Sequence, residues 1–209
     1  MKIIGFLLLF TVLAFCGLTD RLKQAAGGGN TTSTNTSSNS NADGGITAEP
    51  AKPSSSQEAL IAAGTETAWP DQGLSWRLSH DWSKMDITKD QFDYQGPDGT
   101  FLLVSVSTLP DSFPMETSLK AYHEQALQQL KIGKYESVKL VSIDGLPGVE
   151  FVEAPPPGKD DVRRHQWIGY RRYLGTVQQV NAMTTTKQSK FDKHTDEFTA
   201  VLYSMKSSK

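Results

Sequence analysis

The sequence predicts an α+β domain in which helices cover an antiparallel sheet, preceded by a signal or anchor segment and a disordered linker. Three observations lead to this prediction. An apolar run occupies residues 3–15, a polar stretch of low complexity follows it, and the rest of the chain alternates strand-like and helix-like patterns. We therefore divide the chain into a signal peptide at 1–16, a linker at 17–68 and a folded domain at 69–209.

The apolar run at the start of the chain is too short to cross a bilayer. A membrane-spanning helix needs ~20 apolar residues, whereas the run at residues 3–15 is only thirteen residues long, with Lys2 providing a positive charge before it. This pattern is typical of the apolar region of a signal peptide. Cys16 follows the run directly and is the only cysteine among the 209 residues.

The segment Leu13-Ala14-Phe15-Cys16 resembles the lipobox of bacterial lipoproteins, in which the cysteine becomes the first mature residue and carries lipid. Phe15 stands where the family pattern has Gly, Ala or Ser. The resemblance implies lipidation at Cys16 and anchoring in a membrane of the cell envelope. Two other fates stay open: ordinary cleavage after Cys16 would release a soluble secreted or periplasmic protein, and an uncut segment would serve as an N-terminal anchor.

The net charge limits the kinds of partner to be expected, and the cysteine content limits the bonds that can stabilise the domain. The formal net charge is −2, from 21 basic and 23 acidic residues, so there is no general electrostatic reason to expect nucleic acid as a partner. No cysteine follows Cys16. The folded domain must therefore be stable without a disulfide, even in an oxidising compartment.

Residues 27–56 are rich in Gly, Ser, Thr and Asn and contain one large aliphatic residue, Ile46. Such a segment buries too little apolar surface to offset the entropy of ordering it. We therefore predict a disordered linker. A short apolar patch at 59–63 near its end could form a turn or two of helix before Gly64.

The first part of the domain predicts successive antiparallel strands. Leu74–Leu78 alternates apolar and polar residues, the period of a half-buried strand. Short segments at 85–88 and 92–94 follow, and the Gly/Pro-rich sequence at 95–99 predicts a turn. The apolar residues at 101–107 predict a strong strand.

A helix is predicted next, with Thr117 or Ser118 as its N-cap and Gly133 at its end. Its apolar residues recur at three- and four-residue spacing, which favours an amphipathic helix lying on a sheet. These residues are Leu119, Tyr122, Ala126, Leu127 and Leu130.

The last part predicts strands at 139–144 and 149–153, an exposed proline-rich loop at 154–161, and a hairpin of strands 163–174 and 177–185 joined at Gly175 and Thr176. A second helix over 189–205 closes the domain. Its acids lie near its N-terminus and Lys206 lies at its end, as the helix dipole favours.

This order of elements resembles the PsbP-like superfamily. The resemblance rests on the turn Ser79-His80-Asp81-Trp82, the turn at 144–150 and the final segment at 191–204, and it covers about residues 72–206. It implies an α/β/α sandwich. Members of that group act by binding partners rather than by catalysis, and no functional residue of the group can be carried over to this chain.

We find no pattern of residues that predicts a reaction. There is no Gly-x-Ser-x-Gly elbow and no phosphate-binding loop, so we expect no enzymatic activity and no cofactor. The histidines lack the spacing of a zinc site and are interpreted as surface or turn residues; they are His80, His123, His165 and His194. No metal site is expected, and the adjacent Asp160 and Asp161 are interpreted as solvated.

One group of residues is a candidate partner-binding surface. Strand alternation places five residues on the same face of the strand at 163–174: Arg163, His165, Trp167, Arg171 and Tyr173. Arginine, tryptophan and tyrosine often anchor interfaces. In the alternative interpretation, a helix covers this face and the aromatic residues belong to the core while the arginines reach its edge.

Three hypotheses of function follow. The first is an envelope lipoprotein whose domain binds an unidentified protein partner as an accessory module, with the lipid bilayer contacted through the N-terminal anchor. The second is a binder of a small apolar or anionic ligand between the sheet and a helix, beneath Trp167 and Tyr170. The third is a hydrolase that brings a serine to His165.

Overall fold

Two β-sheets with helices packed on them make up the part of the chain described by the computed structural model, residues 46–208. The predicted signal peptide at 1–16, its Cys16 and the linker up to residue 45 lie outside the described residues. All described residues belong to one compact unit.

The elements follow one another in a simple order, with short 3₁₀ turns at Pro70–Gln72, Pro97–Gly99 and Asp192–His194. The strands and helices are β1 (Glu49–Pro50), α1 (Ser55–Ala63), β2 (Thr65–Trp69), β3 (Leu74–Leu78), β4 (Ser83–Ile87), β5 (Gln91–Gln95), β6 (Phe101–Leu109), α2 (Met115–Lys131), β7 (Tyr135–Ile143), β8 (Leu146–Glu153), β9 (Val162–Tyr173), β10 (Thr176–Lys187), α3 (Gln188–Phe191), α4 (Thr195–Tyr203) and β11 (Lys206–Ser207).

The larger sheet has eight strands in the order β1-β7-β8-β9-β10-β6-β5-β4, and the smaller has three in the order β11-β3-β2. All pairings are antiparallel except that of β1 with β7. Helix α2 packs on β7 and β8, while α4 contacts β3, β9 and β10. The predicted fold class, an α+β domain with an antiparallel sheet covered by helices, is confirmed.

Alternating strand residues build a separate apolar cluster on each face of the large sheet. Beneath α2, Leu119 meets Phe151 and Ile168. The other cluster includes both sheets, and in it Phe92 stacks on Trp69 and Trp76 with ring centroids 5.7 and 5.0 Å apart. Burial of these large rings is the main source of stability in a domain without disulfides.

The structure differs from the predicted linker boundary at residue 68. Helix α1 and strand β2 precede Trp69 and belong to the folded unit. Helix α1 buries none of its residues and is held by polar bonds, because Asp196 accepts hydrogen bonds from Ser56 and Gln57. The apolar patch at 59–63 predicts only a turn or two of this helix, because the polar bonds that hold α1 produce no apolar periodicity.

The predicted helices exist with altered bounds. Helix α2 begins at Met115, two residues before the predicted cap, and it ends near Gly133, which has a left-handed φ of 74°. The predicted helix at 189–205 is divided into α3, a 3₁₀ turn and α4. The division falls at His194, where φ of −104° and ψ of 5° depart from helical values.

The predicted hairpin is the pair β9 and β10, twelve residues each. Its turn is one residue earlier than predicted, at Leu174 and Gly175, both with positive φ (46° and 83°). Two such residues match the twist of a tight two-residue hairpin turn. No helix within residues 46–208 is long and apolar enough to cross a membrane.

Candidate functional site

The face of β9 that the sequence predicts as a partner surface is covered. Arg163, His165, Trp167 and Arg171 are each at most 4% exposed, and Tyr173 is half-buried. Phe191 of α3 lies under the guanidinium of Arg163, 4.2 Å from its carbon to the ring centroid. The prediction that these five residues bind a partner directly is therefore corrected, and the alternative interpretation describes this face.

Trp167 is fully buried and belongs to the core. Its indole lies over two glycines, Gly148 of β8 and Gly169 of β9, which face each other across the sheet. A Cβ atom at either glycine would overlap the ring. Trp167 Nε1 donates a hydrogen bond to the carbonyl of Val141 at 3.2 Å, so no ligand space lies beneath this ring.

Arg171 joins the two sheets at one end of β9. It donates to Gln178 Oε1 at 2.9 Å, to the carbonyl of Gln72 at 2.6 Å and to Ser207 Oγ at 3.2 Å, and it stacks on Tyr173. Burial lowers the pKa of Arg171 to about 10, so the group remains charged at neutral pH. These bonds fix the small sheet to the large one.

Arg163 occupies the other end of β9 and is shared by two carboxylates. It donates to the carbonyl of Glu153 at 2.8 Å and to Asp192 Oδ1 at 3.1 Å, and it also pairs with Glu136. The guanidinium is buried, whereas both carboxylates are exposed on the opposite walls of an opening. One cation therefore neutralises only part of the charge at this place.

Between these ends, His165, Glu150 and Tyr203 form a buried polar chain. His165 Nε2 lies 2.7 Å from Glu150 Oε1, and the Tyr203 hydroxyl donates to Glu150 Oε2 at 2.7 Å. Burial raises the pKa of Glu150, but its hydrogen bond and electrostatic attraction to His165, the bond from Tyr203 and the nearby charge of Lys139 outweigh it, so the pKa falls below its usual value. Burial raises the pKa of Tyr203, and Glu150 raises it further. Glu150 is therefore a buried carboxylate.

These groups line an opening of about 200 Å³ between the strands β7, β8 and β9 and the segment from α3 to α4, which we call the polar cleft. Most of its lining residues are polar or charged, and Val152 and Phe191 are the apolar ones. The members are Glu136, Ser137, Lys139, Glu150, Val152, Arg163, His165, Phe191, Asp192, Thr195 and Thr199. Three carboxylates face two permanent cations here, which does not favour the apolar or anionic ligand predicted from the sequence.

A second opening of about 450 Å³ lies between α1 and α4, and we call it the α1–α4 groove. Leu60, Trp82 and Val201 supply apolar surface in it. Glu197 accepts from Trp82 Nε1 at 2.8 Å, and its other oxygen lies 2.8 Å from His194 Nδ1. Nearby, the hydrogen bond from Lys193 lowers the pKa of Asp98, with further help from Lys190.

The interpretation of all histidines as surface or turn residues is wrong for two of them. His165 is 2% exposed and His194 is 5% exposed. His194 and Glu197 are three residues apart at the start of a helix, and this spacing is a sequence signal from which their pairing could be predicted. The pairing of His165 with Glu150 depends on the register of β8 and β9, which no local pattern gives.

The predicted solvated acids have particular partners. Asp160 pairs with Lys187 at 2.8 Å, and Asp161 accepts from the backbone N–H of Gly158 at 3.0 Å. Within residues 46–208, no group of three or more His, Cys, Asp or Glu side chains is arranged to hold a metal ion.

Comparison with known proteins finds no matching family model and no matching curated protein. The similar solved structures include the following two. A crystal structure from Bacteroides thetaiotaomicron has 18% identity and a TM-score of 0.46 and covers 70% of this chain and 49% of its own, so the chain spans about half the length of that structure. The solution structure of cyanobacterial PsbP (CyanoP) from Synechocystis has 13% identity and a TM-score of 0.46, covering 71% and 94%. A PsbP is thus among the similar structures, and neither likeness carries a conclusion about function.

Proposed function

We propose that this protein is a membrane-tethered envelope lipoprotein whose α+β domain is a non-catalytic, protein-binding accessory module. The observation that carries the proposal is the position of Cys16, the only cysteine, directly after the only long apolar run. Acyl chains on Cys16 would each add ~0.8 kcal/mol of membrane affinity per buried CH₂. Two or more such chains give stable anchoring.

The spacing between Cys16 and the folded unit suits a tether. Residues 17–45 lie between them, and from residue 27 onward this sequence is rich in Gly, Ser, Thr and Asn; a flexible chain of about thirty residues would have a root-mean-square span of ~30 Å. A domain held in this way reaches partners close to the membrane surface. Tethering also raises the effective concentration of the domain toward membrane-bound partners.

For the partner we propose the α1–α4 groove as the contact surface. Specific interfaces combine an apolar centre with a polar rim, and this groove has that arrangement around Leu60, which is 43% exposed. Its charged members are Arg77, Asp81, Asp98, Lys193, Asp196 and Glu197. Because acids outnumber bases, the complementary partner segment presents an apolar side chain flanked by basic residues.

Intact mass and membrane partition of the full chain, expressed in a bacterial host, test the tether. Wild type is compared with Cys16→Ala and with Cys16→Ser. We expect acyl mass on the wild type alone. Both variants should either leave the membrane fraction or be retained as the uncleaved precursor. A wild-type protein that is soluble and begins at Gly17 would overturn the tether and leave a free exported domain.

Site-specific photo-crosslinking in the same cells tests the groove. A photoreactive residue replaces Leu60 in the groove, and a matched control variant carries it at Leu174, which is 83% exposed and lies on the β9–β10 turn. We expect a discrete protein adduct from position 60 that weakens when Asp81 and Asp98 are replaced by Asn. Identical adducts from both positions, or none from position 60, would refute the groove as the partner site.

A further inference from the structure

The loop that joins β8 to β9 contains three consecutive prolines, Pro155, Pro156 and Pro157. Residues 154–156 each precede a proline, which confines their backbone to the extended region, and each proline ring fixes its own φ at about −65°. An extended ψ combined with that φ is the polyproline II conformation. The prolines therefore impose about one turn of polyproline II helix, at roughly three residues per turn, and residues 154–156 belong to no other helix or strand.

This turn presents both rings and carbonyl groups to the solvent. Pro155 and Pro157 are exposed, and Pro156 is half-buried. Within residues 46–208, no hydrogen bond uses the carbonyl groups of residues 154–156. Segments of this kind dock in grooves lined by aromatic side chains, whose tryptophan N–H or tyrosine O–H groups can donate to the carbonyl oxygens.

The loop is held at both ends by backbone hydrogen bonds. At its start, the N–H of Ala154 donates to the carbonyl of Lys134 at 3.0 Å. At its end, the N–H of Asp161 donates to the carbonyl of Gly158 at 3.1 Å, and Asp161 Oδ2 accepts from the N–H of Gly158 at 3.0 Å. The carbonyl of Asp161 accepts from Gln188 at 2.8 Å. A segment that is already held in one conformation loses less entropy when it binds.

Exposed apolar side chains adjoin the two ends of the loop. Ile132 lies two positions before Lys134, whose carbonyl holds the start of the loop, and Val162 directly follows its end. They are 64% and 47% exposed, and they are two of the five large apolar residues that are exposed in the described part of the chain. The prolines are therefore not an isolated apolar feature of this surface.

The charge beside the prolines is mainly positive. Asp160 is paired with Lys187 at 2.8 Å, which leaves Asp161 as the remaining carboxylate of the loop. Three exposed lysines outnumber it, and none of them belongs to an ion pair within residues 46–208: Lys131, Lys134 and Lys159. A partner with acidic side chains around its binding groove would be complementary.

We propose that the β8–β9 loop is a docking site for a protein domain whose groove is lined by tryptophan and tyrosine and rimmed by acidic residues. Pro155 and Pro157 lie against the aromatic rings, and the carbonyls of residues 154–156 accept hydrogen bonds from the groove. An anionic lipid surface would use the lysines but supply no ordered donors to these carbonyls, so the prolines favour a protein. This proposal requires neither the membrane tether nor the α1–α4 groove.

The first test uses three isolated domains as probes, one each of the SH3, WW and EVH1 classes, which bind polyproline II segments. Each probe is labelled with ¹⁵N and titrated with the full-length chain, and NMR follows the indole N–H of the tryptophan in its groove. We expect a saturable shift in at least one probe, with a Kd of ~1 mM or tighter. The absence of a saturable shift in all three probes would overturn the proposal.

Variants of the loop locate the contact. The triple variant Pro155→Ser, Pro156→Ser, Pro157→Ser removes the rings and frees the backbone, so we expect affinity to fall at least about tenfold. Pro110→Ser, which changes an exposed proline on the β6–α2 connection, is the matched control and should bind as wild type. Equal affinity in the triple variant and the control would refute the loop as the site.

Because three substitutions also loosen the loop, Pro155→Ala serves as a second variant that removes one exposed ring and keeps the next two prolines. It should weaken binding severalfold at an unchanged melting temperature. Wild-type affinity in this variant would show that the exposed ring is not in contact with the probe and would also count against the site.

A lysine variant separates a protein groove from a merely anionic partner. Replacing all three lysines by Gln should reduce the dependence of binding on salt, while a saturable shift of the probe's indole persists. The opposite pattern, in which binding is lost in the lysine variant and survives in the triple proline variant, would indicate attraction to any anionic surface. That result would overturn the proposal.

Discussion

Replacing Gly148 by Ala tests whether Trp167 is a packing residue rather than a contact for a partner. The added methyl group would overlap three atoms of the indole, and the ring is fully buried, so it cannot move aside into solvent. Overpacking of this kind costs ~1–3 kcal/mol, partly offset by the ~0.5–1 kcal/mol that Ala gains over Gly in regular structure. With the ring closed in on every side, we expect a net loss of ~2 kcal/mol, or ~4–8 °C in melting temperature for a domain of this size.

The assay is a double-mutant cycle followed by urea and thermal unfolding. Trp167→Leu alone leaves a cavity and should cost ~3 kcal/mol or more. In the double variant the methyl group added at position 148 occupies part of that cavity, so the two losses should sum to more than the measured loss by ~1 kcal/mol or more. Additive losses, or a Gly148→Ala variant as stable as wild type, would refute the packing described here.

Three further outcomes follow from the same contacts. Arg171→Met should lower the free energy of unfolding by ~3 kcal/mol, measured by urea unfolding, because it leaves buried acceptors on Gln72 and Gln178 unpaired; unchanged stability would contradict the sheet-joining role. Since the pKa of Glu150 is lower in the fold than in the unfolded chain, its stabilisation is present above the unfolded value near ~4.3 and is lost as the pH falls through the folded value. Glu150→Gln should therefore flatten the acid limb of the stability–pH curve, and an acid limb as steep as that of wild type would contradict this. Asp196→Ala should reduce hydrogen-exchange protection in α1 by ~10-fold with little effect on β9; equal losses in both elements would show that α1 does not open by itself.

Local patterns in the sequence account for much of the fold. The β9–β10 hairpin follows from two long alternating segments around a short turn, and α2 follows from apolar residues at helical spacing that end at Gly133. Each of these signals lies within one segment of chain. The prediction of an antiparallel sheet covered by helices therefore needed no knowledge of how the segments meet.

The elements that the sequence predicted only in part, or not at all, are those that depend on distant partners. Helix α1 is held by Asp196 and by Arg77, which donates to carbonyl groups at its C-terminal end. Strand β11 is two residues long and exists only because β3 is beside it. The pair of His165 and Glu150 spans two strands. None of these contacts produces a periodic pattern of apolar residues in the sequence.

The covered face of β9 shows why residue type alone did not separate an interface from a core. Arginine, tryptophan and tyrosine serve at both, because each combines a large apolar area with hydrogen-bonding groups. A core and an interface differ in whether the hydrogen-bonding groups of these side chains already have partners within the protein. Arg171 has acceptors on three neighbours and Trp167 has a carbonyl, so neither has bonds left for a partner. His165 Nδ1 has no hydrogen-bond partner among the described residues, but it is buried, so burial rather than residue type decides that this face belongs to the core.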